Sequence, residues 1–295
     1  MSNRWLVILA FAAVYLIWGS TYFFNYQAIQ AIPPFLMSGT RFLTAGLLLY
    51  GLGVWRGAPS PTWEEWRNTA LMGFLFLTVG TGAVVWALHY IDTGMAALLV
   101  AADPLLIMLL LWLFFRQSPG WRGVLGGVIG IVGTILLVGQ PQLKDRPGAT
   151  LGLLAMIVAL ISWAVASIYV SRIPQPQSRW RRSAMQMLGG GGGLLLLSLL
   201  SGEAASFRLA KLDWMSVGSW LYLIFFGSII AFSSFNFLLS QVSPEKVATS
   251  TYVNPIVALF LGWAFNDEVI TTQSLLAGAV LLTGVFFINS NKHQE

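Results

Sequence analysis

The sequence predicts an all-helical integral membrane protein with about ten transmembrane helices, arranged as two inverted five-helix repeats. The 295 residues are 57% hydrophobic and 9% charged, whereas soluble domains are about 25% charged. About ten stretches approach the roughly 20 apolar residues needed to cross a hydrocarbon core of about 30 Å. Residues 92–138 and 243–289 also repeat one pattern without a gap, at a constant separation of 151 residues.

The repeat defines the expected organisation of the chain. The coinciding residues are Ala97 with Ala248, Pro104 with Pro255, Leu110 with Leu261, Trp112 with Trp263, Phe114 with Phe265, Gly127 with Gly278 and Gly133 with Gly284. We expect a first repeat at 1–139, a polar linker at 140–148 and a second repeat at 149–295. Because five is odd, the second copy enters the membrane from the opposite side, which is a geometry that permits alternating access.

The apolar stretches place the individual spans. They are predicted at 5–24, 34–55, 67–88, 94–115, 120–139, 149–171, 183–201, 214–241, 245–265 and 271–290. The first stretch is long enough to span and lacks an Ala-x-Ala exit, so we interpret it as a retained helix and not as a signal peptide.

The basic residues predict orientation. The net charge is +5, and the basic residues lie in short connections between spans, where an excess of Lys and Arg marks the cytoplasmic side. Most fall on the side of the amino terminus: Arg4, Arg56, Arg67, Arg116, Arg122, Arg172, Arg179, Arg181, Arg182, Lys246 and Lys292. The other side has Lys144, Arg146, Arg208 and Lys211. We expect both termini in the cytoplasm of a cell with a bacterial-type inner membrane, with lipid and not nucleic acid as the partner.

Several function classes are disfavoured. The chain has no cysteine and two histidines, so we expect no metal site and no cofactor. The run Gly189–Gly193 is not followed by the Lys-Ser/Thr of a phosphate loop, and we expect it to pack helices closely. No group of side chains has the spacing of a catalytic centre, which argues against an enzyme.

Five short motifs resemble those of a known family. They are Ile17-Trp18-Gly19-Ser20-Thr21-Tyr22, Arg41-Phe42, Ala96-Ala97-Leu98-Leu99 before Pro104, Ile161-Ser162-Trp163-Ala164, and Ala248-Thr249-Ser250 with Asn254-Pro255. In this order they resemble the ten-helix EamA-type exporters of the drug/metabolite transporter superfamily. The resemblance implies export of amino acids and related metabolites through a central cavity between two halves. An uncharged residue before the first proline is commoner in that family than Asp103.

Asp103 is the most informative side chain. It lies near the middle of the fourth span, where a carboxylate costs about 2.5–3.5 kcal/mol on insertion scales. One interpretation is a cavity carboxylate that binds an ammonium group or a proton. The other is a structural carboxylate bonded to Arg41 or to hydroxyl groups. Asn254 occupies the corresponding place in the second copy.

Arg41 also lies inside a span, at a depth within about one helical turn of Asp103. It is either a structural residue or a recognition site for a carboxylate. If both charges face a cavity, they would suit a zwitterion, with Asp103 binding its ammonium group and Arg41 its carboxylate.

Prolines and aromatic residues complete the candidate site. Pro104 and Pro255 each remove a backbone donor, and we expect kinks with a gating role. Trp18 and Tyr22 share a helix face, and Trp18 and Trp163 occupy comparable depths. The predicted substrate-binding residues are Trp18, Tyr22, Trp86, Asp103, Trp163, Tyr252 and Asn254. We interpret Asp92, Asp267 and Glu268 as solvated residues of short turns and His89 as a polar cap.

Together these features predict a secondary exporter of small metabolites, most favourably aromatic or apolar amino acids, that acts as a monomer by alternating access. A proton gradient, exchange or the cargo gradient could drive it. Multidrug or cationic-compound export is the alternative within transport. An integral-membrane lipid-modifying enzyme and a purely structural membrane protein are alternatives from other classes.

Overall fold

The computed structural model describes residues 3–140, 146–170, 172–238, 241–242, 247 and 250–289, and within them all regular structure is helical. Among these described residues, eight helices are long and apolar enough to cross a membrane: α1 Arg4–Ile29, α2 Pro34–Trp55, α3 Trp63–Ala87, α4 Thr93–Phe115, α5 Trp121–Val138, α6 Ala149–Tyr169, α7 Arg179–Leu200 and α8 Trp214–Leu238. The shorter apolar helices are α9 Ser250–Phe265 and α10 Thr272–Asn289. The predicted all-helical membrane fold is confirmed.

Helix starts differ from the predicted spans where capping residues extend a helix beyond its apolar stretch. The third span was predicted from residue 67, but α3 begins at Trp63. Thr62 and Glu65 form a reciprocal cap, in which Thr62 Oγ1 accepts from the Glu65 backbone N–H at 3.2 Å and Glu65 Oε2 accepts from the Thr62 N–H at 2.8 Å. Such a cap satisfies donors that a helix start leaves unpaired. Hydropathy alone therefore missed the first turn.

Helix lengths recur along the chain. Helices α3 and α8 are each 25 residues long, and α2 and α7 are each 22 residues long. Helices α5 and α10 are each 18 residues long. After α2 and α7 the chain turns through Gly57 and Gly202, which have φ values of 69° and 76°. Glycine takes this left-handed conformation without a steric penalty.

Three helices contain π-helical segments: Ala13–Ile17 in α1, Phe74–Thr81 in α3 and Leu223–Phe232 in α8. A π turn widens the helix and changes which carbonyl groups are available to outside donors. In α3 and α8 the π segments occupy corresponding places near the middle of the helix.

Glycine contacts bring α2 against α7 and α5 against α10. A methyl group at Gly126 of α5 would lie 2.5 Å from the Gly284 carbonyl oxygen of α10. On α7, Gly190 faces Leu77 of α3 and Gly191 faces Leu43 of α2, whereas Gly192 has open space. The prediction that the five-glycine run packs helices closely is therefore confirmed for the faces that meet α2 and α3.

The remaining helices form two groups. Helix α1 packs on α8 and α9, and α6 packs on α3 and α4. We refer to these as the α1–α8–α9 group and the α3–α4–α6 group. Each group combines helices from both halves of the chain, because α1 joins two helices from the second half and α6 joins two from the first.

The connections lie at two ends of the bundle. At the N-terminal face, Arg181 donates to the Ala58 carbonyl at 2.6 Å and Asn68 donates to the Pro174 carbonyl at 3.2 Å. At the opposite end, called the distal face, Arg146 forms an ion pair with Asp92. Linker residues 141–145 lie outside the described residues, as do Lys246, Ala248, Thr249 and Lys292.

Candidate functional site

The candidate site is built on an interruption of α4. A first helical segment, Thr93–Val100, ends in a turn at Ala101 and Ala102, and a second segment, Asp103–Phe115, begins directly afterwards. Pro104 falls in the first turn of the second segment, a position where its missing N–H is tolerated. The predicted kink at this proline is thus a two-residue interruption of α4, which places Asp103 at the start of the second segment.

Asp103 lies inside the protein and not against lipid, since its side chain is 7% exposed. Its Oδ1 atom is buried and has no hydrogen-bond partner within the described part of the chain. Tyr22 of α1 packs against a buried cluster that includes Leu98 and Leu99 of α4. A buried polar atom without a partner is costly. Asp103 is therefore a candidate binding group for a proton or for a donor on a transported molecule.

Arg41 is not paired with Asp103. Its Nε donates to Ser228 Oγ at 2.8 Å and its Nη1 donates to Asn25 Oδ1 at 3.0 Å. The guanidinium group also lies 4.6 Å from the centre of the Phe42 ring. These contacts join α2 to α1 and α8, so the hypothesis of an Arg41–Asp103 pair is wrong. The sequence does not identify Asn25 or Ser228 as partners, because helix rotation decides which residues meet.

Asn254, which corresponds to Asp103, has a different environment. With its amide oriented to satisfy its surroundings, Nδ2 donates to the carbonyl oxygens of Tyr15 at 3.0 Å and Val14 at 3.1 Å. Both carbonyls belong to the π segment of α1. Close packing of α9 on α1 at Gly19 accompanies this contact, since a methyl group there would lie 2.7 Å from Val257 Cβ. In this conformation Asn254 joins two helices of the same group.

The structure brings Trp18 and Trp163 together, with ring centres 6.1 Å apart and an edge-to-face arrangement. Phe235 of α8 lies 4.9 Å from Trp18, and Phe76 of α3 lies 4.8 Å from Trp163. We call these four residues the aromatic cluster. It occupies the contact between the α1–α8–α9 group and the α3–α4–α6 group. Edge-to-face pairs of this kind add about 0.5–1.5 kcal/mol beyond burial.

Trp86 is separate from the aromatic cluster. Its ring lies 4.8 Å from that of Tyr90, with the two ring planes tilted by 53°. Both residues line a cavity of about 410 Å³ that opens at the distal face and is also lined by Glu203, Arg208 and Lys211. His89 lies at its edge, and partial burial lowers the pKa of its imidazole below the ordinary value. Trp86 therefore belongs to a distal cavity and not to the neighbourhood of Trp18.

The remaining predicted residues lie on α9. Pro255 is buried within a helix that continues through it, whereas α4 breaks beside Pro104. Tyr252 is half-buried, one turn before Pro255. The two prolines are thus equivalent in sequence and in burial, but different in their effect on the helix.

Two acidic residues of the distal face have partners that the sequence does not predict. Glu268 is bonded to backbone N–H groups of α4, at 2.8 Å from Thr93 and 3.2 Å from Gly94. Asp92 is engaged by Arg146. The expectation of a solvated residue is wrong for Glu268, whereas the side chain of Asp92 is 46% exposed and is solvated as well as paired. Their position next to helix ends was the available signal, since exposed helix N-termini attract carboxylates.

The chain matches the model of the EamA-like transporter family at residues 4–139 and again at 150–290. It is 35% identical over 287 residues to the uncharacterized inner membrane transporter YedA of Escherichia coli K12, covering 96% of this chain and 90% of the relative. The uncharacterized transporter YoaV of Bacillus subtilis is 25% identical, with 95% of each chain covered. Protein PecM of Dickeya dadantii is 29% identical, with 93% and 86% covered.

A crystal structure of a protein that is 20% identical superposes with a TM-score of 0.67, covering 97% of this chain and 98% of that one. At this identity the likeness concerns the fold alone. The family match extends over nearly the whole chain, and the family and these named relatives other than PecM are described as transporters and not as enzymes. The chain is a multi-pass membrane transporter that belongs to the EamA-like transporter family.

Proposed function

We propose that the protein is a secondary exporter of small metabolites that carry an ammonium group, with aromatic or apolar amino acids as the first candidates. The observation that carries this proposal is the buried Asp103 carboxylate, which has an oxygen without a hydrogen-bond partner among the described residues. A carboxylate inside a membrane bundle is maintained against a cost of about 2.5–3.5 kcal/mol. Binding of a cation at Asp103 during transport would explain why a carboxylate is present at this depth.

Alternating access in a protein built from two inverted halves is the proposed mechanism. It is supported by the recurrence of equal helix lengths, for α3 with α8 and for α5 with α10, at the separation of the sequence repeat. It is also supported by packing: α1 contacts α8 and α9 as α6 contacts α3 and α4. In this mechanism the two groups rock against each other while the glycine contacts of α2 with α7 and of α5 with α10 hold the bundle together.

The site between the groups suits a cargo with a cationic end and a flat or apolar end. Asp103 would bind the ammonium group. Trp18 and Trp163 would separate when the groups move and would then offer ring faces to the side chain of the cargo. Tyr22 would orient the carboxylate of Asp103. The predicted roles of Tyr252 and Asn254 would require α9 to move relative to α1, because Asn254 is bonded to α1 in this conformation.

Export of monocationic compounds is the second candidate. Arg41 donates to Ser228 through Nε and to Asn25 through Nη1, which favours a structural role over binding of the carboxylate group of an amino acid. A site with one acidic group and several aromatic rings also fits an amine that lacks a carboxylate. Proton coupling through Asp103 is compatible with either candidate.

A counterflow screen in proteoliposomes tests the proposal. Vesicles loaded with unlabelled compound receive traces of labelled aromatic amino acids or of their decarboxylated amines. Accumulation of the amino acids that a cationic dye does not inhibit supports the first candidate. Accumulation of the amines that the dye inhibits supports the second. If neither class accumulates above protein-free vesicles, the proposed cargo class is wrong.

The proposed orientation places the N-terminal face in the cytoplasm of a bacterial-type cell and the distal face outside. The excess of basic residues at the N-terminal face supports it. Labelling of single cysteines from outside whole cells tests it. A cysteine introduced at Gln30, which is exposed at the distal face, should react with an impermeant reagent, and protection of this site in cells but not after lysis would reverse the assignment.

A further inference from the structure

We propose that Glu268 is the distal latch of the transport cycle: its carboxylate holds the distal ends of α4 and α9 together, and its release opens the distal face. The inference rests on the alternating-access mechanism proposed above. It concerns a different part of the molecule from Asp103, and its test reports conformation and not transport.

The N-terminus of α4 lacks a cap of its own. Asp92 occupies the N-cap position, but its side chain forms no capping hydrogen bond and is bound by Arg146 instead. The first N–H groups of a helix require acceptors, and the partial positive charge of this helix end favours an anionic one. Glu268 supplies that acceptor from the α9–α10 connection, with one oxygen 2.8 Å from the Thr93 N and the other 3.2 Å from the Gly94 N.

Glu268 is itself held in place on the α9 side of the contact. Asn266 Nδ2 donates to Glu268 Oε1 at 3.1 Å, and Gln27 of α1 donates to Asn266 Oδ1 at 3.4 Å. Asp267, between them, has a φ of 52° in the left-handed region. The carboxylate is therefore fixed to the α1–α8–α9 group, while its ligands belong to the α3–α4–α6 group.

The contact lies where these two groups must separate. Helix α9 packs against the distal segment of α4, Thr93–Val100. Gly94 of α4 faces Leu259 of α9, and Gly262 of α9 faces Thr93. The distal ends are thus apposed with little side-chain volume between them. Opening of the distal face requires this apposition to be lost and the two hydrogen bonds of Glu268 to be broken.

Glu203 provides a matched control. Its Oε2 accepts from the backbone N–H groups of Phe35 at 2.9 Å and Leu36 at 3.2 Å, at the N-terminus of α2. The N-cap there is Pro33, which has no capping side chain. Chemically this is the same contact. It lies, however, on the α2–α7 seam, where Gly39 and Gly191 bring the backbones together, so its loss should weaken the protein without opening a path between the groups.

The absence of cysteine from the sequence allows single-cysteine reporters. Thr93 and Ser38 lie near the two capped helix starts, and both are 0% exposed. The hydroxyl oxygen of each is buried and has no hydrogen-bond partner in the described part of the chain. Thr93→Cys retains the backbone N–H that Glu268 binds, and Ser38→Cys reports on the α2–α7 seam. Purified protein in lipid nanodiscs exposes both faces to an impermeant maleimide, so the result does not depend on orientation.

Glu268→Gln and Glu268→Ala should raise the labelling rate of Thr93→Cys about tenfold or more, which corresponds to about 1.4 kcal/mol in the opening equilibrium. Labelling of Ser38→Cys should stay unchanged. Glu203→Gln should leave both rates unchanged. Thermal unfolding of every variant identifies any that is misfolded, and the near-isosteric Glu268→Gln decides the question if Glu268→Ala does not fold.

An unchanged Thr93→Cys rate in folded Glu268→Gln protein would overturn the latch, as would an equal rise in Glu203→Gln, which would indicate general loosening. Failure of the proposed function has a different signature. Wild-type protein would then transport none of the tested cargoes, while the labelling comparison would still decide whether Glu268 holds the distal ends together.

Discussion

Arg116 and Asp267 occupy corresponding positions of the sequence repeat and adopt the same left-handed conformation, with φ values of 54° and 52°. Arg116 directly follows the last residue of α4, and Asp267 lies two residues after the end of α9. The next residue in each case donates its backbone N–H to a carbonyl further back in the helix, Gln117 to Leu111 and Glu268 to Gly262, both at 3.2 Å. The same chain reversal thus ends two helices, with a neutral amide after one and an acid after the other.

Strain at Arg116 gives a first prediction. A residue other than glycine in the left-handed region loses about 1–2 kcal/mol, and glycine is the usual residue at such a helix end. Arg116→Gly should therefore raise the free energy of unfolding by about 0.5–1 kcal/mol. Thermal unfolding in detergent measures the change. Arg116→Ala removes the same charge without relieving the backbone, so a similar gain in both variants would show that charge and not strain is responsible.

Packing of α5 on α10 gives a second prediction. A methyl group on Gly126 would lie 2.5 Å from the Gly284 carbonyl oxygen, and a methyl group on Gly192 would meet nothing within 4 Å. Gly126→Ala should lower the free energy of unfolding by about 1–3 kcal/mol, because the backbones must separate. Gly192→Ala should be neutral or slightly stabilising. The same unfolding measurement applies, and equal effects of the two substitutions would disprove the close contact.

Arg41 is predicted to act in stability and not in cargo recognition. Lysine does not reproduce the two-pronged donation to Ser228 and Asn25. Arg41→Lys should reduce the yield of folded protein and its unfolding temperature, while the ratio of amino-acid to amine counterflow stays that of the wild type. A selective loss of amino-acid counterflow in stable Arg41→Lys protein would instead assign the guanidinium to the cargo carboxylate.

Glu203 predicts a pH dependence. Burial raises the pKa of this carboxyl above its ordinary value, although the Leu36 and Phe35 N–H groups act in the opposite direction. The folded protein therefore binds the proton more tightly than the unfolded chain, so this contribution to stability is present at low pH and is lost as pH rises through the raised pKa. Relative to Glu203→Gln, the wild type should gain unfolding temperature on mild acidification. A difference that is constant with pH would contradict this, with His89→Gln as the control for the nearby imidazole.

Much of the fold could be predicted because apolar length decides it. The predicted bounds of the second span, 34–55, were correct, and so was the predicted start of the eighth span at Trp214. Helix starts at Trp63 and Arg179 lay outside the predicted spans, since their first turns are polar and depend on caps from Thr62 and Ser178. Hydropathy does not detect such caps.

The candidate site was less accessible from sequence. Depth predicted that Trp18 and Trp163 could meet, and they do. Depth did not reveal that Arg41 turns toward Ser228, or that Trp86 lies at the distal cavity, because both depend on helix rotation and packing. Glu268 was missed because its partners, Thr93 and Gly94, lie in the other half of the chain.

Counterflow by Asp103→Asn protein tests the central claim most directly. Asparagine preserves shape but removes the negative charge, so the proposed site predicts a loss of cargo accumulation of about tenfold or more with an unfolding temperature near that of the wild type. Asp92→Asn, which removes a half-exposed carboxylate at the distal face, should retain most activity. Wild-type accumulation by folded Asp103→Asn protein would contradict the claim that cargo or protons are bound at Asp103.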